Sequence, residues 1–181
     1  MRRLAALAVT VLLAACQTTE APHPVAAIPA IERPRAMAVR DDAVKTQVAR
    51  RVADLGRAYR SVTVEAWGGR VLLMGAVIKP EQRRKAEQTA RAAEGVTEVL
   101  NELVLAEDKA LDAFTADPAR EGAARRALGI EGSAGTIVRV INGVAFLLGA
   151  TPTPDAAAAM KADATEVEGV KWVVSHLRAS P

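Results

Sequence analysis

Residues 71–103 read VLLMGAVIKPEQRRKAEQTARAAEGVTEVLNEL, and residues 145–177 read AFLLGATPTPDAAAAMKADATEVEGVKWVVSHL. An offset of 74 residues aligns the two stretches without a gap, and extending the alignment to 62–103 and 136–177 gives 12 identities in 42 pairs. The identities fall mainly on glycines, a helix-start proline and alternate apolar positions, where backbone structure restricts the choice of residue. A fixed offset of this kind indicates a duplicated structural unit.

The composition of the 181-residue chain fits one ordinary domain or two small ones. Half of the residues are apolar but only 3% are aromatic, so two small units would have limited cores and would gain stability by packing together. The formal net charge is +3, of which Arg2 and Arg3 supply +2 in a segment that we expect to be removed. The remaining charge of about +1 argues against a general nucleic-acid-binding protein.

The first residues predict an export signal rather than part of the fold. A basic start precedes the apolar run Leu4–Ala15, which is too short to span a bilayer as a stable anchor. The sequence Leu13-Ala14-Ala15-Cys16 resembles the lipobox of bacterial lipoprotein signal peptides. The resemblance implies that residues 1–15 are a cleaved signal peptide and that Cys16, the only cysteine, carries the acyl chains. An ordinary secretory signal with an incidental cysteine is the alternative.

A tether is predicted at residues 16–40, after the cleavage site. Gln17 stands where an aspartate would favour the inner membrane, so resemblance to bacterial lipoproteins implies an outer-membrane anchor facing the periplasm. Prolines lie among alanines and isolated charges with no helical or strand period. A flexible chain of this length would hold the folded part on the order of 30 Å from the membrane. His23 lies here and is interpreted as a solvated linker residue.

The first predicted unit, residues 41–105, has the order helix, strand, strand, helix, strand. Its first helix is expected to begin at Asp41 or Asp42, either of which can cap a helix. The run 71–78 is apolar on both faces, which is typical of a central strand with neighbours on each side. Trp67 is interpreted as part of the core. The signals that bound the remaining elements are the Gly68-Gly69 turn, Pro80 at a helix start and Gly95 at a helix end.

The second predicted unit, residues 117–178, repeats this order after a linker at 106–116. Asp117 precedes a proline and predicts a capped helix start, and Asn142-Gly143 is the strongest short hairpin signal in the chain. Trp172 stands where the first unit has a glutamate, so it need not belong to the core that the units share. We therefore interpret Trp172 as a residue that packs between the two units.

The repeated pattern resembles the BON (bacterial OsmY and nodulation) domain in two copies. The resemblance rests on the helix with Val44, Val48 and Val52, on the strands VLLMGAV and AFLLGAT, and on the closing segments EGVTEVLNEL and EGVKWVVSHL. It covers most of the chain after the tether. It implies an α+β fold in which each unit packs two helices on a three-stranded mixed sheet. It also implies a protein without catalytic activity, cofactor or small-molecule substrate.

Lipoproteins with two BON domains, which this chain resembles, contact anionic phospholipid largely through the first helix of the second unit. In this sequence the corresponding region offers three arginines beside an apolar edge: Arg120, Arg125, Arg126, Leu128 and Ile130. The resemblance therefore implies a phospholipid site here and a role in outer-membrane integrity. A solvated arginine face is the alternative interpretation of these residues. A periplasmic adaptor for an envelope assembly machine, such as an outer-membrane protein assembly complex, is the alternative function.

Catalytic and metal sites lack the residues that they require. The only histidines are His23 and His176, and Ser175 beside His176 would point to the opposite face of a strand. Zinc needs several cysteine or histidine ligands, and the single cysteine is expected to be acylated. No glycine-rich phosphate loop follows a strand in the required context. We therefore expect neither an enzyme nor a metal-binding protein.

Overall fold

A computed structural model of the protein describes residues 31–180. The first unit contains, in chain order, α1 (Arg35–Ala53), β1 (Thr63–Trp67), β2 (Arg70–Met74), β3 (Ala76–Val77), α2 (Pro80–Arg91), β4 (Glu98–Asn101) and β5 (Val104–Leu105). The second unit contains α3 (Pro118–Ala127), β6 (Thr136–Ile141), β7 (Val144–Thr151), α4 (Pro154–Thr165) and β8 (Trp172–Ala179). Short 3₁₀ turns occur at Arg57–Tyr59 and Asp108–Ala113. The predicted signal peptide, the predicted acylation site at Cys16 and most of the predicted tether lie outside the described residues.

Both sheets are mixed, which confirms the predicted α+β fold. In the first unit β1 is antiparallel to β2 and β4 is parallel to β2, while β3 and β5 form a short parallel pair beyond Gly75. In the second unit β6 is antiparallel to β7 and β8 is parallel to β7. Gly75 has φ +106°, and a Cβ atom there would lie 2.0 Å from the carbonyl oxygen of Ser61. Only glycine fits this break between β2 and β3.

Local sequence signals set several element boundaries as predicted. The Asp117 carboxylate accepts the backbone N–H of Arg120 and caps α3. Asn142 and Gly143 have φ values of 50° and 78°, and they form the tight turn between β6 and β7. These contacts join residues that are close in the sequence, so they depend little on how the two units pack together.

The start of α1 differs from the prediction. The helix begins at Arg35 rather than at Asp41 or Asp42, so residues 35–40 are helix and not tether. Asp41 is 3% exposed, and its carboxylate accepts the N–H groups of Gly68 and Gly69 and a hydrogen bond from Arg33. The carboxylate thus caps the β1–β2 turn rather than a helix, because residues 35–40 are good helix formers that carry α1 past it.

The elements stack as helices, sheet, sheet, helices. Helices α1 and α2 cover one face of the first sheet, and α3 and α4 cover one face of the second sheet. The remaining faces of the two sheets contact each other through a separate apolar cluster. Its buried members are Leu72, Met74, Ile141, Phe146 and Leu148, with Trp67 partly buried beside them. This arrangement explains why β2 and β7 are apolar on both faces.

Candidate functional site

The contacts between the sheets follow the sequence offset of 74 residues. Glu65 and Arg139 occupy equivalent positions in the two units, and their side chains meet at 2.6 Å. Glu102 and His176 are also equivalent, and His176 Nε2 lies 2.9 Å from Glu102 Oε1. Pairing between equivalent positions is what a two-fold relation produces along its axis. The two units therefore pack as a pseudo-dimer within one chain.

An alternating row of charges crosses one edge of this interface. Lys45 Nζ lies 2.8 Å from Glu65, which contacts Arg139, which in turn lies 2.8 Å from Glu121. Burial acts to lower the pKa of Arg139, but the Glu65 and Glu121 carboxylates outweigh it and raise that pKa above its ordinary value. The Val140 N–H also donates to Glu121. Each buried carboxylate in the row therefore has at least two polar partners.

Arg70 joins the units through backbone contacts. Its Nη1 donates to the carbonyl of His176 at 2.9 Å and its Nη2 donates to the carbonyl of Gly149 at 2.8 Å. The guanidinium also lies over the Trp67 ring, 5.4 Å from the ring centroid. Burial, followed by repulsion from Arg178, lowers the pKa of Arg70 from its ordinary value. Arg70 and Trp67 thus perform the packing role that we had predicted for Trp172.

The predicted arginine site on the second unit does not form a continuous surface. Leu128 and Ile130 are 3% and 2% exposed and belong to the core under α3 and α4, so they cannot contact an acyl chain. The Arg125 guanidinium donates to the carbonyls of Ile130, Ser133 and Thr136 and so holds the loop after α3. The five predicted residues do not share one surface because α3 ends at Ala127 and the chain then turns towards the core.

The other two arginines remain at the surface. Arg120 forms an ion pair with the Asp117 carboxylate. The pKa of Asp117 lies below its ordinary value, first because the Arg120 backbone N–H donates to the carboxylate and then because of the Arg120 side chain. Arg126 is exposed and makes no side-chain hydrogen bond or ion pair within residues 31–180. The predicted site is therefore reduced to Arg120 and Arg126.

Trp172 does not pack between the units: its side chain is 67% exposed. Its sequence neighbour Lys171 is also exposed and makes no ion pair within the described part of the chain. The first unit has Glu98 at the position equivalent to Trp172, and glutamate is typical of protein surfaces. This correspondence was the one signal that could have indicated that Trp172 is exposed. Lys171 and the exposure of the Trp172 side chain were thus the surface features that sequence reasoning missed.

An open cavity of about 460 Å³ lies beside these residues. It is bounded by the start of α3 at Asp117, by the Asn142-Gly143 turn and by Gly169. Arg120 and Lys171 supply its two cationic side chains, and the Asp117 carboxylate supplies one negative charge. The amino terminus of α3 adds the partial positive charge of the helix dipole, although Pro118 has no N–H group and the Asp117 carboxylate accepts the N–H of Arg120. The cavity is therefore chemically suited to an anionic group.

Residues 40–107 and 116–181 each match the model of the BON domain. The chain belongs to the BON-domain family. It is 31% identical over 126 residues to an Anaplasma centrale protein described as "Uncharacterized protein in gshII 5'region", which corresponds to 66% of this chain and 82% of that protein. The two-copy resemblance inferred from the repeated stretches is thus confirmed. BON-domain proteins are generally not enzymes.

Two solved structures match this chain at low similarity. One is CdsD, a structural protein of the type III secretion system of Chlamydia trachomatis, with 12% identity and a TM-score of 0.33 over 75% of this chain and 91% of that chain. The other is the C-terminal domain of CdsD, with 16% identity and a TM-score of 0.32 over 78% of this chain and 67% of that chain. Similarity at this level carries no conclusion about function.

Two classes of site find no support among residues 31–180. No group of three histidine, cysteine, aspartate or glutamate side chains is placed there to hold a metal ion. None of the helices in that range combines the length and the apolar character that crossing a membrane requires.

Proposed function

We propose that this BON-domain protein is a non-enzymatic lipoprotein of the bacterial outer membrane that binds anionic phospholipid through its second unit. Acylation of Cys16 would anchor the chain, and the folded units would contact the periplasmic face of the same membrane. The role that follows is support of outer-membrane integrity. The site of contact differs from the one that the sequence predicted, since Leu128, Ile130 and Arg125 belong to the interior or hold a loop.

The observation that carries the proposal is the pair of cations at the cavity of the second unit. Arg120 and Lys171 flank an open space of about 460 Å³, which has the size of a small polar headgroup and its surrounding water. Each basic residue near an anionic bilayer contributes about 1 kcal/mol to binding. A single cavity with two cations, one of them paired with the Asp117 carboxylate, gives modest affinity, which suits a protein that an acyl anchor already holds at the membrane.

The test is a vesicle-binding titration of the mature chain with Cys16→Ser, which contains every described element but no acyl group. Binding should rise with the fraction of phosphatidylglycerol and fall with salt, since the attraction is electrostatic. Lys171→Glu should weaken binding roughly tenfold or more, because it replaces attraction of about 1 kcal/mol by repulsion. Lys161→Glu is the matched control: Lys161 is an exposed lysine on α4 that does not line the cavity, and binding should remain near that of the parent.

Equal losses for Lys171→Glu and Lys161→Glu would contradict a local headgroup site and leave only general charge attraction. Absence of binding to any vesicle would contradict lipid recognition altogether. In that case the adaptor function becomes the better hypothesis, with an outer-membrane protein assembly complex as the kind of partner to seek. Affinity capture with the acylated protein in its own membrane would then test that partner.

A further inference from the structure

A second open cavity, of about 560 Å³, lies where the β1–β2 turn of the first unit meets the end of β8 of the second. The first unit contributes Trp67 and Arg70, one on each side of that turn, and Glu98 at the start of β4. The second unit contributes Arg178 near the end of β8. The cavity is therefore formed by both units together, and it shares no lining residue with the cavity proposed above for the headgroup.

Arg70 is a buried cation that has no carboxylate partner within residues 31–180. It is 5% exposed, and its guanidinium donates only to the carbonyls of His176 and Gly149 in that range. These bonds use two of the five N–H groups of a guanidinium. Arg139, the other arginine at the interface of the sheets, contacts two carboxylates instead. Burial of a charge is costly unless an opposite charge compensates it, so Arg70 is the interface cation that lacks such compensation.

Arg178 adds a second cation whose donors are only partly used. Both of its hydrogen bonds to the Glu98 carboxylate, at 2.7 and 2.8 Å, come from Nη2. Its Nε and Nη1 atoms make no hydrogen bond within the described part of the chain. Repulsion from Arg178 contributes, after burial, to the lowered pKa of Arg70, so the two guanidinium groups are near each other. Two arginines and one glutamate leave the lining of the cavity with a net charge of +1.

The indole of Trp67 is a further donor that lacks an acceptor. Its Nε1 atom is buried and has no hydrogen-bond partner among the described residues. A buried indole N–H usually has one. The Trp67 ring lies against the Arg70 guanidinium, with 5.4 Å between the guanidinium carbon and the ring centroid. Three side chains that carry positive charge or donate hydrogen bonds thus line one cavity, and they lack an anionic acceptor.

We infer that this cavity binds a phosphate group, and we call Trp67, Arg70 and Arg178 the inter-unit anion site. Phosphate is favoured over carboxylate because guanidinium groups from two units require more acceptor atoms than the two oxygens of a carboxylate. Inorganic phosphate, a soluble phosphate monoester and a phospholipid headgroup all supply this group, and the cavity has room for what is attached to it. Because each unit contributes one arginine, a bound phosphate would stabilise the packed arrangement of the units.

The NMR signals of the two indole N–H groups test the inference, because only Trp67 lines the inter-unit anion site. The isotope-labelled mature chain with Cys16→Ser is titrated with sodium phosphate at constant pH and ionic strength, and Trp172→Phe assigns the two signals. We expect a saturable shift of the Trp67 signal and a weaker response to sodium acetate. Trp172 lies beside Lys171, so its signal reports on the separate headgroup cavity.

Two substitutions move the affinity in opposite directions. Arg178→Met should weaken phosphate binding about tenfold or more by removing hydrogen bonds from a charged donor, and it removes only a surface ion pair from the fold. Glu98→Gln should bind phosphate severalfold more tightly, because it removes the negative charge from the cavity and releases Nη2 of Arg178. Glu94→Gln is the matched control: Glu94 is an exposed glutamate outside the cavity, and its affinity should equal that of the parent.

The source of the phosphate is decided by three probes: inorganic phosphate, glycerol phosphate and short-chain phosphatidylglycerol below its micelle concentration. A response of Trp67 to either soluble phosphate supports the site and assigns a soluble ligand, whereas a response to the lipid alone supports the site and assigns a headgroup. No response to any probe would overturn the inference, and so would a response that Arg178→Met and Glu98→Gln leave unchanged. The inference does not depend on the proposed function, since Lys171→Glu should weaken vesicle binding without altering the Trp67 titration.

Discussion

Replacing Arg139 by methionine should destabilise the protein by about 3 kcal/mol, because Arg139 is the link between two buried carboxylates on different units. Its guanidinium lies 2.6 Å from Glu65 and 2.8 Å from Glu121, whose side chains are 5% and 10% exposed. Methionine retains much of the aliphatic length of arginine. The substitution therefore removes the charge and leaves most of the packing.

The magnitude follows from what each carboxylate retains. Removal of one partner of a buried ion pair typically costs about 3–5 kcal/mol. Glu65 keeps its contact with Lys45 at 2.8 Å, and Glu121 keeps the Val140 N–H at 3.2 Å. The lower end of the range is expected for this reason. Arg178→Met is the matched control, since Arg178 and Glu98 are 61% and 36% exposed and such surface pairs contribute about 0–1 kcal/mol.

Urea unfolding of the mature Cys16→Ser chain, followed by circular dichroism, measures both substitutions on one scale. A loss for Arg139→Met below about 1 kcal/mol, no larger than the loss for Arg178→Met, would refute the reasoning. The exchange Glu65→Arg with Arg139→Glu gives a second test. The exchange would place an arginine beside Lys45 and a carboxylate beside Glu121. Its free energy of unfolding should therefore not return from that of Arg139→Glu alone to that of the parent. Full recovery would show that the outer charges do not fix the polarity of the row.

Three further outcomes are expected from the same unfolding assay. Gly75→Ala should lower the free energy of unfolding by more than about 3 kcal/mol, because its Cβ would lie 2.0 Å from a backbone oxygen. Gly56 has a similar φ of +112° but no atom within 4 Å of a Cβ, so Gly56→Ala should lower it by only about 1–2 kcal/mol. Arg125→Met should cost about 2 kcal/mol through the loss of bonds to three carbonyls, while Arg126→Met should be nearly neutral. Because the pKa of Asp117 is lowered on folding, its contribution is present above the ordinary value of 3.8 and is lost as the pH falls further, so Asp117→Asn should flatten the acid limb of the stability–pH curve.

Much of the fold could be predicted because its signals are local. The turn at Asn142-Gly143 depends on backbone conformations that few residues can adopt, and the cap at Asp117 depends on a side-chain oxygen at the start of α3. The strand predicted at 71–78 is instead broken at Gly75. Gly75, Pro80 and Gly95 recur as Gly149, Pro154 and Gly169, so the duplication was visible without knowledge of the packing. The start of α1 was misplaced because Asp41 has the chemistry of a helix cap but uses it on a turn of β strands.

The candidate site was harder to predict because exposure is a property of the assembled layers. Leu128 and Ile130 looked like an apolar edge, yet the turn after α3 directs them into the core. Trp172 looked like a packing residue, yet it lies at an end of the interface that nothing covers within residues 31–180. Hydrophobicity alone does not distinguish an apolar side chain in the core from an apolar side chain that is exposed at the surface.

The sequence by itself determined the number of units, the order of their elements and the positions of their turns, since each rests on contacts between residues close in the chain. It also indicated that β2 and β7 are covered on both faces. Only the tertiary structure decided what covers the second face: the other sheet, with Glu65 opposite Arg139 and Glu102 opposite His176. The physical reason is that an apolar strand face is satisfied equally by any apolar neighbour, whereas the choice of neighbour depends on charges 74 residues apart that meet only after both units have folded.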